Sequence, residues 1–162
     1  MSTAYPLMWP DQWPRTEIKD RVLGKYRLWQ LPVNGRRLPW TFRDTLTSLE
    51  RELSLLGTSN IVVSSDFRTD AHGNPIAAGR RPTDQGVAAH FELGGAPMVI
   101  AYDAYVEAEA NMRALTLAVV AIRSIGLHGG GHILLRALGG FAAPPPYDAA
   151  AVTRHEAHFH RG

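Results

Sequence analysis

The feature that most constrains the fold of this chain is a pair of apolar stretches on either side of two glycines. In residues 87–93 apolar side chains alternate with partly polar ones, and residues 98–102 form a second, mostly apolar stretch. The Gly94-Gly95 pair between them can adopt the positive φ angles that a two-residue turn requires. The pattern therefore predicts an antiparallel β-hairpin.

A stripe of apolar residues predicts the first helix. Apolar side chains recur at alternating steps of four and three between residues 42 and 56, which places them on one helical face. Thr41 and Asp44 are spaced for an approximate capping box at its start. Gly57 suits the position after its end, where a left-handed backbone is needed.

A longer stripe over residues 105–122 predicts a second helix, with Asp103 as its N-cap. A shorter helix is predicted over residues 132–138, and a short buried strand at residues 60–65. The resulting order of elements favours an α+β fold with a small antiparallel sheet of three or more strands. We expect the two main helices to pack on one face of that sheet.

Three regions follow from this reading. Residues 1–40 form an extended N-terminal arm packed on the core, residues 41–140 an α+β core domain, and residues 141–162 a C-terminal tail that contains prolines and histidines. Prolines prevent a regular helix in the arm. Its tryptophans should lie flat on the core, because aromatic surface exposed on a loose segment is unfavourable.

Composition excludes several classes of protein. The chain has no cysteine, which rules out disulfides, thiolate catalysis and cysteine-bound metal sites. Its first residues lack the basic and apolar regions of a signal peptide. The longest apolar-rich stretch, around residues 114–122, is too short to span a bilayer and is followed by Arg123. We therefore expect a cytoplasmic protein with no membrane partner.

The polar residues show no recognisable catalytic constellation. His128 and His132 have the spacing of helical metal ligands, but three glycines between them argue against a continuous helix. His155-Glu156-Ala157-His158 is one residue short of a His-Glu-x-x-His motif. The acids near the hairpin lack the neighbouring lysine that is usual in nucleases. We predict no enzyme activity, no cofactor and no metal site, with a metal-dependent hydrolase as the weakest alternative.

Arginine and tryptophan indicate a possible binding surface. Residues 1–43 hold eight basic and three acidic residues, and 15 of the 17 basic residues of the chain are arginine. A GC-rich genome would produce this excess, whereas bidentate contact with phosphate or carboxylate would select for it. Cations interleaved with stacking surfaces are typical of single-stranded nucleic-acid binding. The candidate nucleic-acid-binding residues are Trp9, Trp13, Arg15, Arg36, Arg37, Arg80 and Arg81.

Several motifs carry a family resemblance. In chain order they are residues 5–16 (Tyr-Pro-Leu-Met-Trp-Pro-Asp-Gln-Trp-Pro-Arg-Thr), 43–57, 60–65, 82–91 (Pro-Thr-Asp-Gln-Gly-Val-Ala-Ala-His-Phe) and 111–125. Together they resemble a bacterial and phage family whose members are often named "J domain-containing protein". The likeness covers residues 5–143. The His-Pro-Asp tripeptide of a J domain is absent, so the resemblance does not imply stimulation of Hsp70.

The resemblance implies a recognition domain that serves a phage or plasmid. The leading hypothesis is a non-enzymatic binding or adaptor protein that contacts a protein or nucleoprotein complex, with an anti-defence role included. Direct binding of DNA or RNA through the arginine and tryptophan residues is the alternative. A homo-oligomer is compatible with either hypothesis.

Overall fold

The computed structural model describes residues 2–11, 13–24, 39–68, 70, 76 and 82–139. It confirms the α+β prediction. The elements in chain order are β1 (Ser2–Ala4), a short 3-10 helix (Ile18–Asp20), α1 (Phe42–Leu55), β2 (Ser59–Ser65), β3 (Val87–Leu93), β4 (Ala96–Tyr102), α2 (Ala108–Leu127) and α3 (Gly131–Leu138). The predicted tail, residues 141–162, lies outside the described residues.

The described strands form one sheet in the order β1-β2-β3-β4. The predicted antiparallel arrangement holds for β2, β3 and β4, whereas β1 runs parallel to β2, with Ser2 opposite Val62 and Ala4 opposite Ser64. The sheet therefore has the three or more strands that were predicted, and β1 makes it mixed. A strand of three residues is too short to show an alternating pattern in the sequence.

The β3–β4 hairpin has the predicted two-residue turn. Leu93 pairs with Ala96, and the two glycines between them have φ angles of 59° and 81°. Positive φ at both central positions gives a type I′ turn, whose twist matches that of the flanking strands. A side chain at either position would be strained, so the glycine pair fixes the register of the hairpin.

Helices α1 and α2 lie side by side over one face of the sheet. Arg113 of α2 stacks on Trp40, just before α1, at 5.3 Å, and Arg123 bonds to Glu52 near the end of α1 at 2.9 Å. The two helices therefore run in the same direction. The core that they enclose includes Leu46, Leu49 and Leu53 of α1, Val63, Val87, Ala89, Phe91 and Ile100 of the sheet, and Met112, Leu115 and Val119 of α2.

Both ends of α1 follow the local sequence signals. Thr41 accepts a hydrogen bond from the backbone of Asp44, and the carboxylate of Asp44 accepts one from the backbone of Thr41, which completes the capping box. Gly57 has a φ of 85°. Its amide bonds to Ser54 and the Thr58 amide bonds to Leu53, the pattern of a Schellman motif.

The start of α2 corrects one prediction. Asp103 is not the N-cap, because α2 begins at Ala108 and its N-cap position is Glu107, which makes no side-chain capping bond. Within the described residues, α2 is also the one helix long and apolar enough to cross a membrane by length and composition. A helix in the core of a soluble protein can have the same length and apolar composition.

The second face of the sheet carries the N-terminal segment. Val62 and His90 are directly paired across β2 and β3, so their side chains point away from the helices. Met8 packs on Val62 and Ala4 there, and its amide donates to Ser64 Oγ at 3.1 Å. We call this side the outer face, and residues 5–11, which cross it, the strap.

Candidate functional site

Three segments that are distant in sequence meet at one end of the sheet. They are residues 9–21, the approach to β3 at residues 82–86, and residues 103–111, which run from the end of β4 into the first turn of α2. The first two overlap the motifs at residues 5–16 and 82–91. We call the group Trp9, Arg15, Thr16, Arg21, Asp84 and Asp103 the arm junction.

The arm junction is built on two arginines and two aspartates. Arg15 forms ion pairs with Asp84 and, through Nε at 2.9 Å, with Asp103. Arg21 reaches the same two carboxylates, at 3.3 Å and 3.2 Å. Only 4% of the side chain is exposed in both Arg21 and Asp103, so each buried charge has an opposite charge beside it. The four formal charges sum to zero.

Asp103 also fixes the backbone of the arm. Both of its carboxylate oxygens accept from the amide of Thr16, at 3.1 Å and 3.2 Å. The carbonyl of Thr16 in turn accepts from Nε of Arg21 at 3.4 Å. The arm is therefore held by its main chain as well as by its charges, which explains why Asp103 is buried rather than placed at a helix end.

Asp84 is a turn residue as well as an ion-pair partner. Its Oδ1 accepts from the amide of Gly86 at 2.9 Å. Burial would by itself raise the pKa of Asp84, but the Gly86 amide and the guanidinium groups of Arg15 and Arg21 outweigh it and hold the pKa below its usual 3.8. The carboxylate is thus ionised at any physiological pH.

The tryptophans of the strap region are engaged inside the protein. The guanidinium of Arg15 lies 4.2 Å from the ring centroid of Trp9, a cation–π distance. The indole of Trp9 donates to the carbonyl of Trp13 at 3.0 Å, and Trp13 packs against the main core. Gly86 sits beneath this group, since a Cβ at that position would lie 3.3 Å from the Trp9 ring.

A buried amide network adjoins the arm junction. Asn111 donates to the carbonyls of Gln85 and Tyr105, at 2.8 Å and 3.0 Å, and accepts from the amide of Tyr105 at 2.9 Å. The side chain of Gln85 accepts from the amide of Ala108 at 3.2 Å. Gln85 thereby caps the start of α2 from across the chain, a bond that α2 does not receive from its own N-cap.

Four exposed apolar side chains lie on the segments that form or adjoin the arm junction: Ile18, Val22, Leu23 and Val106. We call this group the apolar patch. Val22 joins the core through backbone bonds, since its amide donates to Ala104 at 3.0 Å and its carbonyl accepts from Val106 at 3.1 Å. Ile18 and Leu23 each leave 74% of their surface in solvent.

The structure brings together only part of the predicted binding surface. Trp9, Trp13 and Arg15 are adjacent, but their charged and aromatic groups contact the protein itself. The other predicted residues, Arg36, Arg37, Arg80 and Arg81, lie outside the described residues. Sequence reasoning did not find Arg21, Gln85, Asp103 or Asn111 as site residues. The Pro-x-Asp-x-Gly motif at residues 82–86 indicates that this segment is important, but no local sequence pattern identifies the residues that it contacts elsewhere in the chain.

The chemistry open to the arm junction is limited by its own ion pairs. Asp84 and Asp103 are the acids that the fold brings together, and arginines occupy both. Among the described residues no three histidine, aspartate or glutamate side chains are grouped to hold a metal ion. The geometry is that of a structural clamp between the arm and the core.

Comparisons with known proteins do not assign this chain to a family. No protein-family model, curated protein or solved structure matches this chain. Kinship with the mobile-element family therefore stays a prediction from the motifs, and the interpretation of the site rests on its geometry.

Proposed function

We propose that this chain is a non-enzymatic binding or adaptor protein of mobile-element origin that acts through protein–protein contact. Its target would be a nucleoprotein machine or a host defence system. The mobile-element origin rests on the motifs at residues 5–16 and 82–91. The observation that carries the binding role is the apolar patch beside the arm junction.

The apolar patch has the composition of a protein-binding surface. Large apolar side chains left in water are unfavourable, and clusters of them commonly mark sites where a partner covers them. Charged side chains at Glu17, Lys19 and Asp20 are exposed beside Ile18. An apolar centre with a polar rim is the usual arrangement of an interface between proteins.

The segment that carries the apolar patch is held in a defined position. Arg21 is buried in ion pairs, and its neighbour Val22 is paired with the backbone of Tyr105 and its flanking residues. A pre-ordered surface loses little conformational entropy when a partner binds. This supports recognition of a specific partner.

The state of the acids supports a role without catalysis. General acid–base chemistry needs a carboxyl group that can exchange its proton with a substrate. At the arm junction the low pKa of Asp84 and its arginine partners favour a permanently charged, paired carboxylate. Such a group stabilises structure and is a poor proton carrier.

Direct nucleic-acid binding is the alternative proposal. Arg15 and Trp9 contribute little to such binding, because they already contact each other. Arg15 is also paired with Asp84, and the indole of Trp9 donates to the carbonyl of Trp13. The alternative therefore depends on Arg36, Arg37, Arg80 and Arg81. A gel shift without binding to single- or double-stranded DNA or RNA at ~50 mM salt would remove it, since counterion release is strongest at low salt.

The main proposal is tested by affinity capture from the native host with nuclease-treated lysate. A captured protein is then purified and its affinity measured by calorimetry. We expect the double variant Ile18→Ser/Leu23→Ser to weaken binding by about 100-fold, because each substitution removes an apolar contact worth about 1–2 kcal/mol.

The matched control is Leu127→Ser. Leu127 is an equally exposed leucine, 71% in solvent, at the far end of α2. Its substitution should leave the affinity unchanged. Equal affinity of the double variant and the wild type, or capture that disappears with nuclease treatment, would contradict the proposal.

A further inference from the structure

His90 lies under the strap in the middle of the sheet. It belongs to β3 on the outer face, and only 6% of the residue is exposed. Its Nε2 is 3.1 Å from the carbonyl oxygen of Met8. A carbonyl only accepts, so this contact requires the proton of the imidazole to be on Nε2.

Two further side chains of the sheet hold the strap by its main chain. Ser64 Oγ accepts from the amide of Met8 at 3.1 Å, and Asp66 Oδ1 accepts from the amide of Leu7 at 3.0 Å. The backbone of residues 7 and 8 is thus fixed at three points, all of them on β2, β3 or the turn that follows β2. His90 supplies the one of these three contacts made by an imidazole, a side chain that can take up a proton as the pH falls from neutral.

The described residues that lie directly beside His90 on the neighbouring strands are apolar. Its direct cross-strand neighbours are Val62 on β2 and Val99 on β4, and Met8 covers it from the strap. A second proton would place a full positive charge among these side chains, at the cost of its hydration.

Among the described residues, the charged side chains on β3 and just after β2 make contacts of their own. Glu92, two residues along β3, accepts from the side chain of Asn60, and Asp66 accepts from Leu7. Arg68, after β2, lies over the ring of Tyr5 in the strap at 5.1 Å. On β4 the one titratable side chain is Tyr102, which sits opposite Val87 and therefore points to the helix side of the sheet.

We propose that His90 is an acid-sensitive latch, whose protonation releases the strap from the outer face while β2, β3, β4 and the helices stay folded. The direction follows from linkage. Burial lowers the pKa of His90 below its usual 6.5, although the bond to Met8 raises it. With the strap released, the imidazole returns toward 6.5, so the open state binds the proton more readily.

The pH range of the switch lies below the usual imidazole pKa of 6.5, because the pKa of the closed state is lowered from that value. Above pH 6.5 the strap is held in full. As the pH falls from 6.5 toward the lower pKa of the closed state, the opening constant rises by up to tenfold per pH unit, since one proton is coupled to opening. Asp84 stays charged over this window because its pKa lies below 3.8.

Amide hydrogen exchange by NMR between pH 7.5 and 5.0 tests the latch, with rates corrected for intrinsic exchange. We expect the protection factors of the Leu7 and Met8 amides to fall with pH below 6.5, while those of Ala89 and Ile100 in the β3–β4 ladder do not. In His90→Gln the amide still donates to Met8 but cannot take up a proton, so the pH dependence should disappear. His128→Gln, at an exposed histidine, should keep it.

Three results would overturn the proposal. These are strap protection that does not depend on pH in the wild type, the same dependence in His90→Gln, and loss of protection in the β3–β4 ladder in parallel with the strap. If His90→Gln does not fold, the wild type alone decides. The imidazole titration of His90 and the shift of the Met8 amide must then have the same midpoint, and different midpoints exclude the latch.

Discussion

At the residue scale, the buried charged side chains of the arm junction are paired with opposite charges. Arg21 and Asp103 are both almost wholly removed from solvent, and each lies within 3.3 Å of opposite charge. Burying an ion costs several kcal/mol, so removing one partner leaves the other uncompensated. Breaking an exposed pair such as Lys19–Glu17 does not leave an uncompensated charge, because water already solvates both groups.

Asp103→Asn should therefore destabilise the protein strongly. We expect a loss of about 3 kcal/mol in the free energy of unfolding, at the lower end for a broken buried pair because Arg21 keeps Asp84. Urea denaturation measures the loss. Glu17→Gln, which removes an exposed pair, is the control and should change stability by less than about 1 kcal/mol. Equal effects of the two variants would contradict this account of the arm junction.

Gly86→Ala tests how closely the strap approaches the core. A Cβ at residue 86 would lie 3.0 Å from Leu7, 3.2 Å from the Asp84 carboxylate and 3.3 Å from Trp9, so all three must shift. We expect a loss of about 1–3 kcal/mol in thermal or urea unfolding, as for other overpacked sites. At Gly131 a Cβ meets nothing within 4 Å, and Gly131→Ala should be neutral or slightly stabilising. An unchanged stability of Gly86→Ala would show that the strap can move aside.

At the scale of elements, the two main helices are specified in different ways. α1 carries its own signals at both ends: the capping box at Thr41 and the left-handed Gly57. α2 receives its cap from Gln85, 23 residues earlier in the chain. The residues within and next to α1 therefore specify both of its ends. The start of α2 depends instead on the bond from the Ala108 amide to Gln85, which forms only after the segment before β3 has folded against it.

This difference explains which parts of the structure could be predicted from sequence. Helix α1, strand β2 and the Gly94-Gly95 hairpin depend on periodicity and turn chemistry within a few residues, and all were found. Strand β1 and the ion pairs of Asp103 depend on partners about 60–90 residues away. Asp103 was mistaken for a cap because an acid before an apolar stripe has the same local pattern in both roles.

Thr41→Ala should weaken α1 in a predictable way. The hydroxyl accepts from the Asp44 amide at 3.2 Å, and losing an N-cap of this kind costs about 1 kcal/mol. Thr47→Ala, at an exposed position within the same helix, should be neutral or stabilising because alanine has the higher helix propensity. The comparison uses urea midpoints of the two variants. A loss at Thr47 as large as at Thr41 would argue against the capping box as the cause.

At the scale of the whole molecule, the arm junction joins the arm, the sheet and the start of α2 through one set of contacts. Removal of one charge from the arm junction should therefore change the free energy of unfolding of the whole protein. The pKa of Asp84 is lowered, and the direction of this shift fixes the sign of its contribution to the pH dependence of stability.

Asp84→Asn should remove an acid-sensitive part of the stability. The folded-state pKa of Asp84 is lower than its usual 3.8, so the stability it provides is present above pH 3.8 and is lost as the pH falls through the folded value. We expect wild type to exceed Asp84→Asn in urea midpoint at pH 7, with the difference shrinking below pH 3.8. A difference that is constant from pH 7 to pH 3 would contradict this assignment.

The long separation of the junction contacts has a consequence for synthesis. Asp84 lies 69 residues after its partner Arg15 in the chain, and Asp103 lies 87 residues after its partner Thr16. At about 5–20 residues per second, Asp103 is made about 4–17 s after Thr16. The contacts of the arm with the core therefore cannot be completed until Asp103 has been made, and a chain arrested before that residue would lack the ion pairs of Arg15 and Arg21 with Asp103.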